Sequence, residues 1–596
     1  MNRPVDVGAD GAAQGRSFSS LMLQDLGPDL FAAFPARALT GARIVWLNAR
    51  WFARQGVDLS CPTAAEEVRR DLLERFAVEA APQGSPADSS GVTLSADRYG
   101  GSTGSFFGGS GRCAVRGDFN IKGIGRTPLA ASRIDWDHRH GHLWLPEALR
   151  EAICSEVALA ELPWGGVPSI AIIDVGETIE DPEDPKPELF RRRALMIRPN
   201  FVRPAHFERS LYFGSAGARA SEQFLDAERT RGAVEAAGRI AGEGAALFDA
   251  IDAMFLRFAG QVGAARANKL WSGRFMSPNV SITGGLADFG IFRAVPNWRG
   301  LTGIPGERLG QDLPHLATSI RSIYYYARKY AQGRRGGLGE EPLIRAVEVE
   351  IEAAFMRTLM AGLGVDGPAH AELRGRLTPL LRRFYELQQR HVMRANSPEA
   401  EASPCLHEHL TEKRSESSGL EALAQSMRRL IDEHNAASPA HPVNLPNMHR
   451  WLAPRPSLYH VRLTQGVEAV AREVAVADET AEAIATAFID RMVGLSRRTW
   501  PLLPTGFEIR GVGYRAGSAA LHVKDVRTGR RGVWIECPMA GGAPYPFGRP
   551  LASVPQAEMQ VGDDHRAMLY APLDDDEWPK GVTIAGEYFE LPALVA

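Results

Sequence analysis

Two oxygen-bearing side chains near the middle of the chain have the types and spacing of a divalent-cation site. The segment MSPNVSITGGLADFG contains Asn279 and Asp288, nine residues apart. Their amide and carboxylate oxygens are hard ligands, which suit Mg²⁺ where it bridges phosphate groups. The residues between them predict two short strands joined by a turn. The pair therefore predicts a magnesium site beside a phosphate-bearing ligand.

A glycine-rich stretch earlier in the chain is a candidate phosphate-binding loop. YGGSTGSFFGGSGR runs from Tyr99 to Arg112 and contains six glycines. Glycines let backbone amides approach a polyphosphate closely, because no side chain intervenes. Stretches of Gly and Ser are more often plain turns, so this one indicates a phosphate site only if other phosphate-binding residues accompany it.

A lysine and a glutamate follow the glycine-rich stretch in a meaningful order. Lys122 ends the short apolar strand of FNIKGIGRTP, and Glu151 lies on a helix predicted from Leu145 to Leu162. In protein kinases a strand lysine contacts phosphates and pairs with a helix glutamate, and an Asp-Phe-Gly triplet like the one at Asp288 binds the metal. Considered alone, Lys122 would be interpreted as an exposed lysine at a strand end and Glu151 as a solvated helix carboxylate. The complete series, in this order, favours an ATP-binding site.

These segments together resemble the SelO family of protein adenylyltransferases. Members of that family have a protein-kinase-like fold, bind ATP in a flipped orientation and transfer AMP to hydroxyl side chains. The resemblance covers roughly residues 30–300 and also includes FPARALTGARIVWLNARWFARQGVDL and IRPNFVRPAHFE. The tail from about residue 451 has no recognised counterpart.

The resemblance implies ATP and Mg²⁺ as cofactors and assigns roles to individual residues. Arg198 and Arg203 match two arginines that hold the inverted triphosphate, although their spacing is two residues shorter here. The implied catalytic residues are Lys122, Glu151 and Asp288, and the implied metal ligands are Asn279 and Asp288. The implied nucleotide-binding residues are Gly109, Gly111, Arg112, Lys122, Gly141, Arg198 and Arg203.

Three departures from the family pattern bear on catalysis. Pro278 stands where the family has its proton-accepting aspartate, His140 replaces another aspartate, and Ser272 replaces the histidine that opens the metal segment. Proline cannot accept a proton, and general-base help is worth about 10²–10⁴-fold in rate. A carboxylate acceptor would need no base, because it is already ionised near neutral pH.

Three functions follow as hypotheses. The first is an ATP- and Mg²⁺-dependent nucleotidyltransferase that moves AMP to a protein or peptide acceptor, on a hydroxyl or by activating a carboxylate. The second is a catalytically impaired pseudoenzyme that serves as a nucleotide-binding scaffold, because of Pro278. The third is an interaction module whose tail recruits a partner.

The order of elements predicts an α+β protein with a protein-kinase-like bilobal fold, in which a mixed N-lobe precedes a helical C-lobe. An added C-terminal domain of mixed α/β structure follows, in which SAALHVKDV and VWIEC predict a hairpin. The predicted units are a disordered stretch at 1–17, an N-terminal segment at 18–95, the ATP-binding domain at 96–395, a linker with helices at 396–450 and the accessory domain at 451–596.

The overall composition is that of a globular protein. The chain has 596 residues and a net charge of -3, so no global basic field favours a nucleic-acid partner. Five cysteines without a CxxC pair argue against a disulfide framework. No secretory leader and no run of about 20 apolar residues is present, which predicts a cytoplasmic location and no membrane partner. The oligomeric state stays open.

Two short His-rich tracts are weaker candidates for metal binding. His138, His140 and His142 alternate along the chain, and a strand would place them on one face. The second tract contains Cys405 and His409. Neither tract has a clear fourth ligand, so polar loops are the favoured interpretation of both.

Overall fold

The computed structural model describes residues 16–592 apart from several short gaps. The expected disorder at 1–17 and the tip of the glycine-rich stretch therefore fall largely outside the described residues, as does much of the predicted linker after residue 395. The gaps are 83–90, 102–106, 132–135, 181–189, 214–218, 243, 303–308, 332–335, 366, 395–396, 398–403, 412–418, 444–454, 497–506, 516–517, 526–527, 541, 556–557, 562–565 and 575–576.

A nine-stranded antiparallel sheet occupies the first third of the chain. Its strand order is β2-β8-β9-β6-β5-β4-β1-β3, with β7 paired to β9. The predicted boundary near residue 95 falls inside β4, and strands from both sides of it pair with one another, so the strands before residue 95 belong to the same sheet as those after it. The strands are β1 (Phe31–Ala38), β2 (Arg43–Leu47), β3 (Val78–Ala80), β4 (Val92–Asp97), β5 (Cys113–Arg116), β6 (Phe119–Lys122), β7 (Leu143–Trp144), β8 (Ala171–Thr178) and β9 (Arg192–Pro199).

Strand β8 illustrates why this sheet forms. The run VPSIAIIDV predicts a buried strand, and Ala171 to Val175 within β8 are all buried. Its neighbour β9 is also buried from Arg193 to Arg198. Continuous burial on both faces shows that this part of the sheet is covered by other elements, and the covering element on one side is a long helix.

That helix is α4 (Leu145–Glu161), which agrees with the predicted span to within one residue. Pro146 stands in its first turn, where the missing N–H costs no helical hydrogen bond. Nearly every side chain of α4 is buried, so other elements must pack around the whole circumference. Three shorter helices precede it: α1 (Ala49–Arg54), α2 (Pro62–Phe76) and α3 (Trp136–Arg139).

A mainly helical layer follows the sheet. Helices α6 and α8 pack closely, since a Cβ on Gly263 would lie 2.4 Å from the backbone oxygen of Ile351. The segment LTPLLRRFYELQQRHVM has a helical pattern through Met393, but the helix ends at Gln389, and Val392–Arg394 forms a parallel strand pair with Gly300–Thr302. The helices are α5 (Arg219–Ala241), α6 (Ala245–Ala267), α7 (Leu313–Tyr330), α8 (Glu340–Gly362), α9 (Ala371–Gln389), α10 (Leu406–Thr411) and α11 (Gly419–Ala437).

Short strands complete this part of the chain. Leu270–Trp271 (β10) pairs with Arg293–Ala294 (β11), so the segment between them is a closed loop anchored at both ends. Gly300–Thr302 is β12 and Val392–Arg394 is β13. The loop anchored by β10 and β11 contains both predicted metal ligands.

Two further helices and a second sheet form the C-terminal region. Helices α12 (His460–Val476) and α13 (Ala481–Ser496) share one hydrophobic core with α4 and α6, so they are not separated from the preceding chain at residue 451. The predicted hairpin is confirmed as antiparallel β15 and β16. The strands are β14 (Phe507–Arg515), β15 (Ser518–Asp525), β16 (Arg531–Ala540), β17 (Ala543–Pro544), β18 (Met559–Val561), β19 (Arg566–Leu573), β20 (Gly581–Ile584) and β21 (Glu587–Glu590).

The protein is therefore an α+β chain whose sheets are built mostly from antiparallel strands. No helix in the described parts of the chain is both long and apolar enough to cross a membrane.

Candidate active site

The predicted lysine–glutamate pair is present. Lys122 ends β6, in register with Met196 of β9, and its Nζ donates a hydrogen bond to Glu151 Oε1 on α4. The two side chains are 5% and 0% exposed. A charged pair this deeply buried is stable only if both partners are held accurately, so the sheet and α4 together fix the position of the ammonium group.

Asn279 and Asp288 lie at the same end of a small hairpin. A 3-10 turn at Ser277–Asn279 precedes it, and a bridge between Val280 and Leu286 closes it. The Ala287 amide donates to the Asn279 carbonyl at 2.8 Å, which places Asp288 directly beside Asn279. In place of the two predicted strands, the segment has one bridge, which still brings Asn279 and Asp288 together.

The charge on Asp288 is controlled by its surroundings. Burial raises the pKa of this carboxyl, but Lys122, the Gly290 amide and then Arg112 and Arg198 outweigh it and hold the pKa below its usual value. The Gly290 N–H donates to Asp288 Oδ1 at 3.0 Å. Electrostatic influence of this kind requires proximity, so Asp288 lies near Lys122. The region around these two side chains is called the cleft.

The two predicted arginines reach the two chain segments at the open end of the same hairpin. The Nη1 group of Arg198 donates to the Ala287 carbonyl at 3.0 Å, and its Nε donates to Asn120 Oδ1 at 2.9 Å. The Nη1 group of Arg203 donates to the Pro278 carbonyl. The guanidinium of Arg203 also lies over the Tyr99 ring, at 4.9 Å from its centroid. Both arginines are buried, and each donates to the carbonyl of a residue next to a predicted metal ligand.

The glycine-rich stretch borders this cleft at its first residues. A Cβ on Gly101 would lie 3.9 Å from the ring of Pro278, so the stretch passes beside the Asn279 turn. Gly100 is held against the backbone of Arg209, where a Cβ would come within 2.3 Å of the carbonyl group. The stretch is therefore anchored next to the predicted metal ligands.

The three glycines that were predicted to bind nucleotide pack against the protein itself. Gly109 has φ +147°, and a Cβ there would lie 2.2 Å from the Asp97 carbonyl oxygen. A Cβ on Gly111 would lie 2.7 Å from the Phe107 ring. Gly141 has φ +78° and meets the backbone of Gly125 at 2.3 Å. Close packing against backbone at Gly109 and Gly141, and against the Phe107 ring at Gly111, already leaves little room for a side chain. Their role toward a nucleotide stays a prediction.

Glu147 is a member of the cleft that the sequence reasoning missed. Arg112 Nη2 donates to Glu147 Oε1 at 2.8 Å, while the Arg112 side chain remains 35% exposed. Burial raises the pKa of Glu147, but Arg112 and then Lys122 outweigh it, so the pKa is lowered. Glu147 precedes Glu151 by four residues, which places both on one face of α4. That spacing was the available signal.

A buried histidine–aspartate pair supports the arginine side of the cleft. His206 Nε2 lies 3.1 Å from Asp97 Oδ2, and His206 Nδ1 accepts from the Arg203 amide at 2.9 Å. Burial raises the pKa of Asp97, yet the hydrogen bond and charge of His206, together with Arg203 and Ser110, outweigh it and lower the pKa to about 2. This pair fixes the backbone of Arg203. Its partners lie more than 100 residues apart in the chain, so no spacing in the sequence signals it.

The first His-rich tract forms a cluster of rings. His140 lies between Trp136 and Trp144, with centroid distances of 4.4 Å and 4.8 Å. The His142 amide donates to His140 Nδ1 at 2.7 Å, and burial lowers the pKa of His142 to about 3. The His138 side chain lies outside the described residues. The described histidines are held by packing and hydrogen bonding.

The second tract is also engaged in packing. Cys405 is buried, and His409 Nδ1 lies 3.4 Å from Glu421 Oε2 on α11. Within the described ranges, no group of three or more His, Cys, Asp or Glu side chains is arranged to hold a metal ion.

A comparison with protein-family models finds no match for this chain, and a comparison with curated proteins also finds none.

Proposed function

We propose that the chain is a protein-kinase-like, ATP- and Mg²⁺-dependent nucleotidyltransferase that moves AMP from ATP to a protein or peptide acceptor. The observation that carries this proposal is the buried Lys122–Glu151 pair beside an Asp288 whose pKa is lowered by its neighbours. On this proposal, the nine-stranded sheet and the helical layer are the two lobes, and the SelO-like residues line the cleft between them.

The triphosphate would be held by the cations of the cleft. Lys122, Arg198 and Arg203 together provide three positive charges within buried surroundings, where their attraction for phosphate oxygens is weakly screened. Two buried polar atoms, Glu151 Oε2 and Arg203 Nε, have no hydrogen-bond partner within the part of the chain described by the structure. Buried polar atoms are usually satisfied by a partner. The Arg203 Nε donor therefore favours an acceptor such as a phosphate oxygen, whereas Glu151 Oε2 can only accept from a donor.

The residues present also fit a magnesium ion. Asp288 offers an ionised carboxylate and Asn279 an amide oxygen, side by side at the open end of the hairpin. Mg²⁺ is commonly held by one or two protein oxygens and completes its shell with phosphate oxygens and water. When bound, the ion would supply positive charge that neutralises the phosphate oxygens.

The transfer would join an acceptor oxygen to the α-phosphorus and break the bond from that phosphorus to the bridging oxygen of pyrophosphate. The pair of electrons leaves with pyrophosphate. A hydroxyl acceptor must also lose its proton, and Pro278 cannot take it. Glu208 lies beside this turn but is fully buried and accepts from Ser277 Oγ. A carboxylate acceptor, which yields an acyl-adenylate, therefore suits the cleft better than a hydroxyl whose proton must go to solvent.

Labelled ATP tests the proposal. The full chain is incubated with Mg²⁺ and candidate acceptor peptides, in parallel with ATP labelled at the α- or the γ-phosphate. We expect label from the α-position on the acceptor together with release of pyrophosphate, both lost in Asp288→Asn. Arg357→Ala, which removes an exposed pair with Glu350 on α8, is the matched control. Label only from the γ-position would identify a kinase instead.

A catalytically impaired pseudoenzyme is the second candidate. The observation that favours it is the Pro278 carbonyl bonded to Arg203 at the position where the SelO family has a proton-accepting aspartate. A pseudoenzyme would be stabilised by ATP and Mg²⁺ without consuming ATP. Turnover that depends on Asp288 would exclude it.

A further inference from the structure

Helix α4 carries two carboxylates of the cleft, Glu147 and Glu151, and a part of the chain beyond the SelO-like residues holds its far end. Arg455 Nη1 contacts both oxygens of Glu161, at 2.7 and 2.6 Å. The two side chains are 4% and 1% exposed. Arg455 Nη2 also donates to the Asn268 carbonyl, and Asn268 Nδ2 donates to the Glu161 carbonyl at 2.9 Å. The last turn of α4 is therefore fixed by a residue almost 300 positions later.

A second contact holds the middle of α4. Arg150 Nη2 donates to the Phe292 carbonyl at 2.8 Å and lies 3.5 Å from His460 Nδ1. Arg150 Nη1 lies 3.4 Å from Thr464 Oγ1, and both of these partners belong to α12. Phe292 follows Asp288 by four residues. One guanidinium thus joins α4, α12 and the segment that carries the predicted metal ligand.

These contacts use a different face of the helix from the cleft. Arg150 and Glu161 are eleven residues apart, which is close to three helical turns, so they project in nearly the same direction. Glu151 follows Arg150 by one residue and is rotated by about 100° from it. The cleft therefore lies on one face of α4, and the C-terminal contacts lie on an adjacent face.

Apolar packing extends along the same side. Leu463, Val467 and Ala471 of α12 belong to one buried cluster with Leu149 and Ile153 of α4. Helix α13 also contacts α4. The packing surface is continuous with the polar contacts, so displacement of α12 would disturb α4 along much of its length.

The C-terminal sheet adds a third contact. Arg50 lies 3.1 Å from Glu536 on β16 and 3.9 Å from Glu156 on α4. Asn48 Nδ2 donates to Glu156 Oε1 at 2.8 Å. Asn48 and Arg50 are buried, and this short N-terminal segment therefore contacts both β16 and α4.

We propose that the segment from Arg455 to Ser496 is a built-in positioning element that holds α4 so that Glu151 meets Lys122. Arg455, His460 and Thr464 are its positioning residues, and they act through Glu161 and Arg150 rather than by touching a ligand. The effect on nucleotide chemistry rests on the proposed function, whereas the effect on α4 does not. The C-terminal region thereby acquires a role within the same cleft.

Hydrogen exchange of the full chain, read by mass spectrometry on peptides from residues 145–161, measures the position of α4 directly. In Arg455→Ala we expect exchange in these peptides to accelerate by about tenfold, because the helix gains local openings. Arg455→Lys keeps the charge but loses the fork of two donors, so its effect should be smaller. Affinity for Mg·ATP, measured by calorimetry, should weaken in the same order.

Controls separate this inference from a general loss of stability. Arg357→Ala on α8 should change neither exchange in α4 nor affinity. Thr464→Val removes only a hydroxyl near Arg150, so it serves if Arg455→Ala does not fold, and it should accelerate exchange in α4 to a lesser extent. Unchanged exchange in α4 of folded Arg455→Lys and Thr464→Val would overturn the proposal. If α4 loosens as expected but the parent protein binds no Mg·ATP, the positioning role stands and the proposed function fails.

Discussion

The buried Lys122–Glu151 pair allows its structural and functional roles to be measured separately. Replacing one partner by an apolar residue, as in Lys122→Met or Glu151→Leu, leaves the other charge buried without compensation. Such single losses cost about 3–5 kcal/mol of the free energy of unfolding. The side chains are 5% and 0% exposed, so water cannot easily take over for the missing partner, and the upper part of that range applies.

The double variant Lys122→Met/Glu151→Leu gives the opposite result for stability. Replacing a buried ion pair by apolar residues of similar volume is often neutral, so most of the lost free energy of unfolding should return. Binding of Mg·ATP should not return, because the ammonium group that the proposed function assigns to the phosphates is gone. Stability would then recover without function, which separates the two roles.

Urea unfolding followed by tryptophan fluorescence gives the free energies, and calorimetry gives the affinity. A double variant that binds Mg·ATP as tightly as the parent would refute the assignment of Lys122 to the phosphate site. A single Lys122→Met variant that unfolds at the same urea concentration as the parent would refute the buried pair itself. Arg357→Ala, whose side chain is 63% exposed, should leave both measurements unchanged.

Three more predictions concern the metal ligand, pH and backbone packing. Asp288→Asn should weaken Mg·ATP binding by about 100-fold, because it removes the ionised ligand, while binding of ATP without Mg²⁺ should change little in calorimetry. Burial, followed by Arg293 and Arg150, lowers the pKa of His460 to about 4 in the folded chain. The unfolded chain, in which this histidine has its ordinary pKa of about 6.5, therefore binds the proton more readily. As a result, the free energy of unfolding decreases as the pH is lowered from about 6.5 toward 4. His460→Gln should thus be more stable than the parent by about 1 kcal/mol at pH 5, after allowance for partial exposure, and equal to it at pH 8 in urea unfolding. Gly141→Ala should lower the free energy of unfolding by about 3 kcal/mol or more, since a Cβ would lie 2.3 Å from backbone, whereas Gly117→Ala at φ +59° has open space and should cost about 1 kcal/mol.

Local sequence patterns predict the elements that carry Lys122, Glu151, Asn279 and Asp288. Lys122 at a strand end and Glu151 on a helix are placed by local periodicity, and the sheet brings the two elements together. Asp288 and Asn279 are joined by a turn of a few residues, so their proximity is also a local property. Short-range patterns of this kind survive folding because few distant contacts compete with them.

The sequence does not signal contacts that depend on tertiary packing. Asp97 and Phe107 pack against Gly109 and Gly111, whose role toward a nucleotide stays a prediction. The break near residue 95 read as a domain edge, yet β4 continues the pairing of β1 across it. The support that Arg455 and α12 give to α4 depends on contacts across roughly 300 residues, which single-sequence patterns do not encode.

The placement of β2 has a consequence for synthesis of the protein. This strand pairs with β8, through Arg43 and Asp174, and Arg43 Nη2 also donates to the Val474 carbonyl, 431 residues further along the chain. At a translation rate of about 5–20 residues per second, that partner leaves the ribosome roughly 20–90 seconds after Arg43. During this interval the buried side chains of β2 lack their final cover, so the nascent chain exposes an aggregation-prone edge that chaperones would have to shield.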